Sequence, residues 1–97
     1  MEVLKYEYPT AKEPFAKQVH VGVVGSGDLE VLMEPSTDGK AHVVVSTSVN
    51  GYSQIWESVI ERFFTRFNGA AAIEINDFGA TPGMVALRLE QAVEASK

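Results

Sequence analysis

The stretch "VVGSGDLEV", residues 23 to 31, sets the hydroxyl of Ser26 between Gly25 and Gly27, with the carboxylate of Asp28 two residues on. Four kinds of chemistry use such a serine: a phosphate-cradling loop, a nucleophile turn, a tight hairpin, or a point of covalent attachment. A dinucleotide fingerprint needs G-x-G-x-x-G between a strand and a helix, but position 30 is Glu and the following "LEVLMEP" alternates like a strand. A Walker loop needs Gly-Lys-Ser/Thr, which does not follow. A nucleophile elbow, G-x-S-x-G, spaces its glycines two residues from the serine, whereas here they are its immediate neighbours. The hairpin and the attachment point remain. The flanking glycines strip steric cover from the hydroxyl and allow a tight turn, which suits both. Seven serines occur in the chain, and spacing alone favours a plain hairpin serine.

Other residues that could do chemistry are sparse. A serine hydrolase needs a histidine base and an acid. The two histidines, His20 and His42, sit in strand patterns on the face opposite the valines and read as solvent-facing. A metal site needs three or four convergent ligands, so none is expected. Asp77-Phe78-Gly79 matches the kinase metal-binding triplet, but 97 residues leave no room for the loops that give it meaning. It reads instead as a strand end and a turn. Arg62 and Arg66, one helical turn apart, form a solvated face or a contact for a phosphate or an acidic partner.

Bulk composition narrows the class. A chain of 97 residues, 45% apolar and 22% charged, fits one soluble globular domain over residues 1–97. The net charge of −5 argues against nucleic acid, whose phosphates select clustered Lys and Arg. Without cysteine the chain has no thiolate ligand and no thiol for thioester chemistry. "MEVLKYEYPT" is not a signal peptide, and no apolar run approaches the ~20 residues of a membrane span. A cytoplasmic location is the expectation.

The elements that must position Ser26 follow from hydrophobic period. Leu4, Tyr6 and Tyr8 alternate with Lys5 and Glu7, and "PTAKEPFAK" then breaks the pattern. Val19, Val21 and Val23 form a second strand; Leu29, Val31 and Met33 form a third. After the turn residues of "EPSTDGK", "AHVVVSTS" is a β-branched fourth. In "YSQIWESVIERFFTRF", Ile55, Trp56, Val59, Ile60, Phe63, Phe64 and Phe67 make a wide apolar helical stripe. Asn50 or Ser53 is placed to cap its start and Asn68-Gly69 to stop it. "AAAIEIND" is a strand, and "TPGMVALRLEQAVEASK" a helix with Thr81 as N-cap and Pro82 at its first position. The order β-β-β-β-α-β-α predicts an α+β two-layer sandwich: a mixed β-sheet of about five strands with two helices on one face. Residues 41 to 77 should form a right-handed parallel crossover. Strand order is not derivable from these patterns.

Three stretches taken together, "VGVVGSGDLEVLMEP", "TSVNGY…IWESVIERFF" and "AAIEINDFGATPGMVALRLEQA", resemble the acyl carrier (delta) subunit of bacterial malonate decarboxylase. The resemblance runs from about Val21 to the C-terminus and more loosely through the first strand. It implies a non-catalytic carrier of acetyl and malonyl thioesters during decarboxylation of malonate to acetate and carbon dioxide. The implied prosthetic group is 2′-(5″-phosphoribosyl)-3′-dephospho-CoA, joined by a phosphodiester to Ser26, with Gly25, Gly27 and Asp28 as the flanking motif. Implied partners are the acyl transferase and decarboxylase subunits, a holo-carrier synthase and a malonyl transferase, in the cytoplasm. A citrate lyase-like acyl carrier (gamma) subunit and an unmodified scaffolding subunit are the alternatives. The chain departs from ordinary acyl carriers, four-helix bundles whose modified serine follows an aspartate and opens a helix. Here the aspartate follows the serine, and Asp28 either assists a dedicated transferase or polarises the turn. An imported thiol suits a chain that has none of its own, and tethering raises the local concentration of the acyl group.

Overall fold

The structure is a computed structural model that describes residues 2–8, 13–14, 18–21, 29–48 and 51–95. Its elements are β1 (Glu2–Tyr8), β2 (Glu13–Pro14), β3 (Val19–Val21), β4 (Leu29–Pro35), β5 (Ala41–Thr47), α1 (Ser53–Phe64), β6 (Gly69–Asp77) and α2 (Pro82–Ala95). The sheet is mixed and has six strands rather than about five. Five follow one path in the order β1-β5-β6-β4-β3, and β2 pairs with β6 off that path. β2 lies within "PTAKEPFAK", where two residues are too few for an alternation to be visible. It runs parallel to Gly69–Ala70, ahead of the ladders of β4 and β5 on β6.

Alternation in the sequence becomes the two faces of the sheet. Leu29, Val31 and Met33 of β4, Ala41, Val43 and Val45 of β5, and Ala71, Ile73 and Ile75 of β6 are all buried. Against this row pack Trp56 and Ile60 of α1 and Val85, Leu89 and Ala92 of α2, so both helices feed one core. The opposite face carries His42, Val44, Ala72, Glu74, Asn76 and Glu34, half-buried or exposed. β5 and β6 are parallel, joined through α1. β1 and β4 flank that pair antiparallel, and β3 pairs antiparallel with β4.

The termini of α1 differ from expectation. Asn50 lies outside the described residues, and Ser53 is the first helical residue. The N-cap is Tyr52 (φ −110°, ψ 22°), with no side-chain cap bond, because Gly51 (φ 88°) turns the chain into the helix. Nor does Asn68-Gly69 stop the helix. α1 ends at Phe64, and the Thr65 hydroxyl donates to the Arg62 carbonyl at 2.6 Å. Gly69 instead opens β6 under the Phe67 ring, where an added Cβ would lie 2.6 Å from Phe67 Cζ. The aromatic stripe packs on itself: Phe63 stacks on Phe67 with centroids 5.0 Å apart, and Phe64 on Tyr8 at 4.2 Å. Thr81 caps α2 as expected, its hydroxyl accepting the Met84 N–H at 3.2 Å.

Candidate functional site

Gly25, Ser26, Gly27 and Asp28 lie outside the described residues, as do Val23 and Val24. Their neighbours are placed. β3 ends at Val21, β4 begins at Leu29, and the two strands are antiparallel with Val21 opposite Val31. Residues 22–28 therefore connect the two strands at one end of the sheet. Leu29 is the register partner of Asp77, and Thr47 is the partner of Asp77 on its other side. That end of the sheet is thus the carboxyl end of the parallel pair β5 and β6. In open sheets with crossover helices, ligands gather at this end because the helix connections leave a crevice there.

Two polar residues close the buried rows at this end. Thr47 is 1% and Asp77 4% exposed. The Thr47 hydroxyl donates to Asp77 Oδ2 at 2.7 Å, and the other carboxylate oxygen accepts the N–H groups of Gly79 (3.1 Å) and Ala80 (2.8 Å). Gly79, at φ 112°, provides the turn. Asp77-Phe78-Gly79 is therefore a strand-end turn clamped by its own aspartate. These residues were missed as members of a site. The signal was available, since Thr47 and Asp77 fall on the same alternating rows as the buried valines and isoleucines, where a polar side chain needs a partner.

Above this pair is a cavity of about 250 Å³, walled by Trp56, Val59 and Val85. Tyr52 and Ile55 also line it and are 47% and 41% exposed, while neighbouring Phe78 is 48% exposed. Three of the large apolar side chains left in solvent thus gather at this end. Ile55, read from the sequence as part of the core stripe, stands at the mouth of the cavity instead. A cavity of this size is larger than the ~150 Å³ that holds benzene and smaller than a typical drug-sized site, so it suits a small group.

The remaining candidates are scattered. His42 pairs with Asp38 at 2.7 Å on the half-exposed face. The Lys40 backbone N–H, then the His42 side chain, hold the Asp38 carboxyl below the usual carboxylate range. The side chain of His20 is outside the described set. Among the described residues no group of three or more His, Asp and Glu could hold a metal ion. Arg62 and Arg66 edge a groove between α1 and α2, and Arg66 lies 3.9 Å from Glu90 with both side chains largely in solvent. Exposed pairs of that kind contribute little. No described helix is long and apolar enough to cross a membrane.

Comparison with known proteins covers nearly the whole chain. Residues 16–96 match the family model described as ACP: malonate decarboxylase delta subunit (MdcD), which makes the chain an acyl carrier protein by class. Malonate decarboxylase acyl carrier proteins of Pseudomonas savastanoi pv. phaseolicola and Azotobacter vinelandii are 53% and 50% identical to it over 95 residues, 97% of this chain and 95% of theirs. A chain in the crystal structure of a Pseudomonas malonate decarboxylase hetero-tetramer in complex with malonate superposes with a TM-score of 0.90 at 50% identity, covering all of both chains. The chain belongs to the malonate decarboxylase delta-subunit family: it is an acyl carrier subunit, not a catalytic one.

Proposed function

We propose that this acyl carrier serves malonate decarboxylation through a prosthetic group bonded to Ser26, and that residues 1–97 form one two-layer carrier domain. The observation that carries the reading is the full-length likeness to a chain of a malonate decarboxylase complex, combined with the glycine-flanked serine motif between β3 and β4 in the sequence. The relatives named above favour malonate decarboxylase over a citrate lyase-like complex. The group expected is 2′-(5″-phosphoribosyl)-3′-dephospho-CoA, which supplies, when bound, the thiol that a chain without cysteine lacks.

The chain's own residues fit the role of a handle. Gly25 and Gly27 add no side chain beside the Ser26 hydroxyl, which suits access by a modifying enzyme. Asp28, two residues on in the sequence, either assists that enzyme or polarises the turn. The Thr47–Asp77 pair and the two helices fix the sheet end from which the connection springs. The cavity beside that end, walled by Trp56, Val59 and Val85, offers a small acyl group shelter from water. Partners follow from this reading: the acyl transferase and decarboxylase subunits of the complex, the holo-carrier synthase and the malonyl transferase, all in the cytoplasm.

Ser26→Ala tests the assignment in a reconstituted complex. The variant should fold like the parent and assemble, with decarboxylation lost. Retained turnover would move the attachment elsewhere.

A further inference from the structure

The cavity at the carboxyl end of β5 and β6 has a composition that discriminates between acyl groups. Among the described residues lining it, the only charged group is the Asp77 carboxylate, and the walls are Trp56, Val59 and Val85 with Ile55 and Tyr52 at the mouth. Leu29, the first residue of β4, pairs with Asp77, and covalent geometry keeps a residue three positions from Leu29 within about 11 Å of it. Ser26 is thus tied by three residues of chain to a strand whose register partner, Asp77, lines the cavity.

Resting on the attachment proposed above, we infer that this cavity shelters the neutral acetyl end of the carrier's arm and turns away the malonyl end. An acetyl group is small, uncharged and mostly apolar, so it loses little on leaving water and gains contact with the cavity walls. A malonyl group ends in a carboxylate. Burying that charge without a cation is costly, and a second carboxylate here would face Asp77 at close range. The acetyl form is thus held in and protected, while the malonyl form stays out, exposed to a decarboxylating partner. Burying the acetyl methyl and one adjoining methylene of the arm should favour the sheltered over the free position on the order of tenfold.

The experiment uses carrier purified from its native host, with intact mass and peptide mapping to locate the adduct. Methyl NMR spectra of the thiol, acetyl and malonyl forms are then compared, and thioester loss to hydroxylamine is timed against free acetyl-CoA and malonyl-CoA. Acetylation should shift the methyl signals of Ile55, Val59 and Val85, and the carrier-bound acetyl group should react about tenfold more slowly than acetyl-CoA. Malonylation should do neither. Ile55→Lys, at an exposed position, adds a cation at the mouth and should bring malonyl-dependent shifts into the methyls of Val59 and Val85. With the adduct confirmed on the peptide containing Ser26, unchanged methyl signals or equal protection of both acyl groups would overturn the sheltering inference alone. A peptide without adduct would overturn the attachment and the inference together.

Discussion

Replacing Thr47 with valine removes one hydroxyl from the buried end of the sheet and keeps the shape of the side chain. Its donor contact to the Asp77 carboxylate is 2.7 Å long, a normal O–H···O length, and both residues are almost fully buried. Valine leaves Oδ2 without that donor, while Oδ1 keeps the Gly79 and Ala80 N–H groups. A hydrogen bond to a charged acceptor lost in such a place costs about 1.5–3 kcal/mol. Asp77→Ala removes all three contacts at once. The two turn N–H groups lie near solvent and recover partners there, so the loss should be roughly 2–4 kcal/mol. The double variant should be destabilised by less than the sum, with a coupling of about 1.5–3 kcal/mol. Urea unfolding followed by far-ultraviolet circular dichroism reads this as midpoint shifts of roughly 1 M, given slopes of about 1–3 kcal/mol per molar. Single variants within about 0.5 kcal/mol of the parent, the range of ordinary surface substitutions, would refute the clamp. Strict additivity would show that the two side chains do not act together.

Gly69→Ala forces the Phe67 ring away from its stack on Phe63 and should cost about 1–3 kcal/mol in urea unfolding, a loss that Phe67→Leu in the same chain should partly restore. Thr81→Ala removes the acceptor for the Met84 N–H and should cost about 1 kcal/mol by the same measurement. Burial, then Glu57 for Tyr6 and Glu61 for Tyr8, raise both phenols above 10.0. The neutral phenol is the favoured folded form, so its contribution to stability is complete below pH 10 and fades as the pH climbs through each raised value. Absorbance titration near 295 nm should show late-ionising phenols that Tyr6→Phe and Tyr8→Phe remove one at a time.

The sheet and its faces were legible because alternation is a local property. Leu29, Val31 and Met33 occupy one row and predict burial on that row, as found. Thr81 and Pro82 marked the start of α2 for the same local reason. What escaped depends on distant neighbours. Ile55 carries the period of the core stripe, but in the first turn of α1 it stands 41% exposed at the mouth of a cavity rather than in the core. Gly69 has the spacing of a helix stop, yet its purpose is close approach of the Phe67 ring. Strand order follows from pairings such as Leu29 with Asp77, 48 positions apart in sequence, which no periodicity encodes. The motif at Ser26 was the clearest chemical signal in the chain, and its meaning came from resemblance rather than spacing.

The most direct measurement on the account as a whole is the mass of the carrier taken from an active complex in its native host. The account expects the intact chain to exceed its sequence mass by one phosphoribosyl-dephospho-CoA group, with the increment on the peptide that contains Ser26. A carrier at bare sequence mass within an active complex, or an adduct on any other peptide, would contradict it.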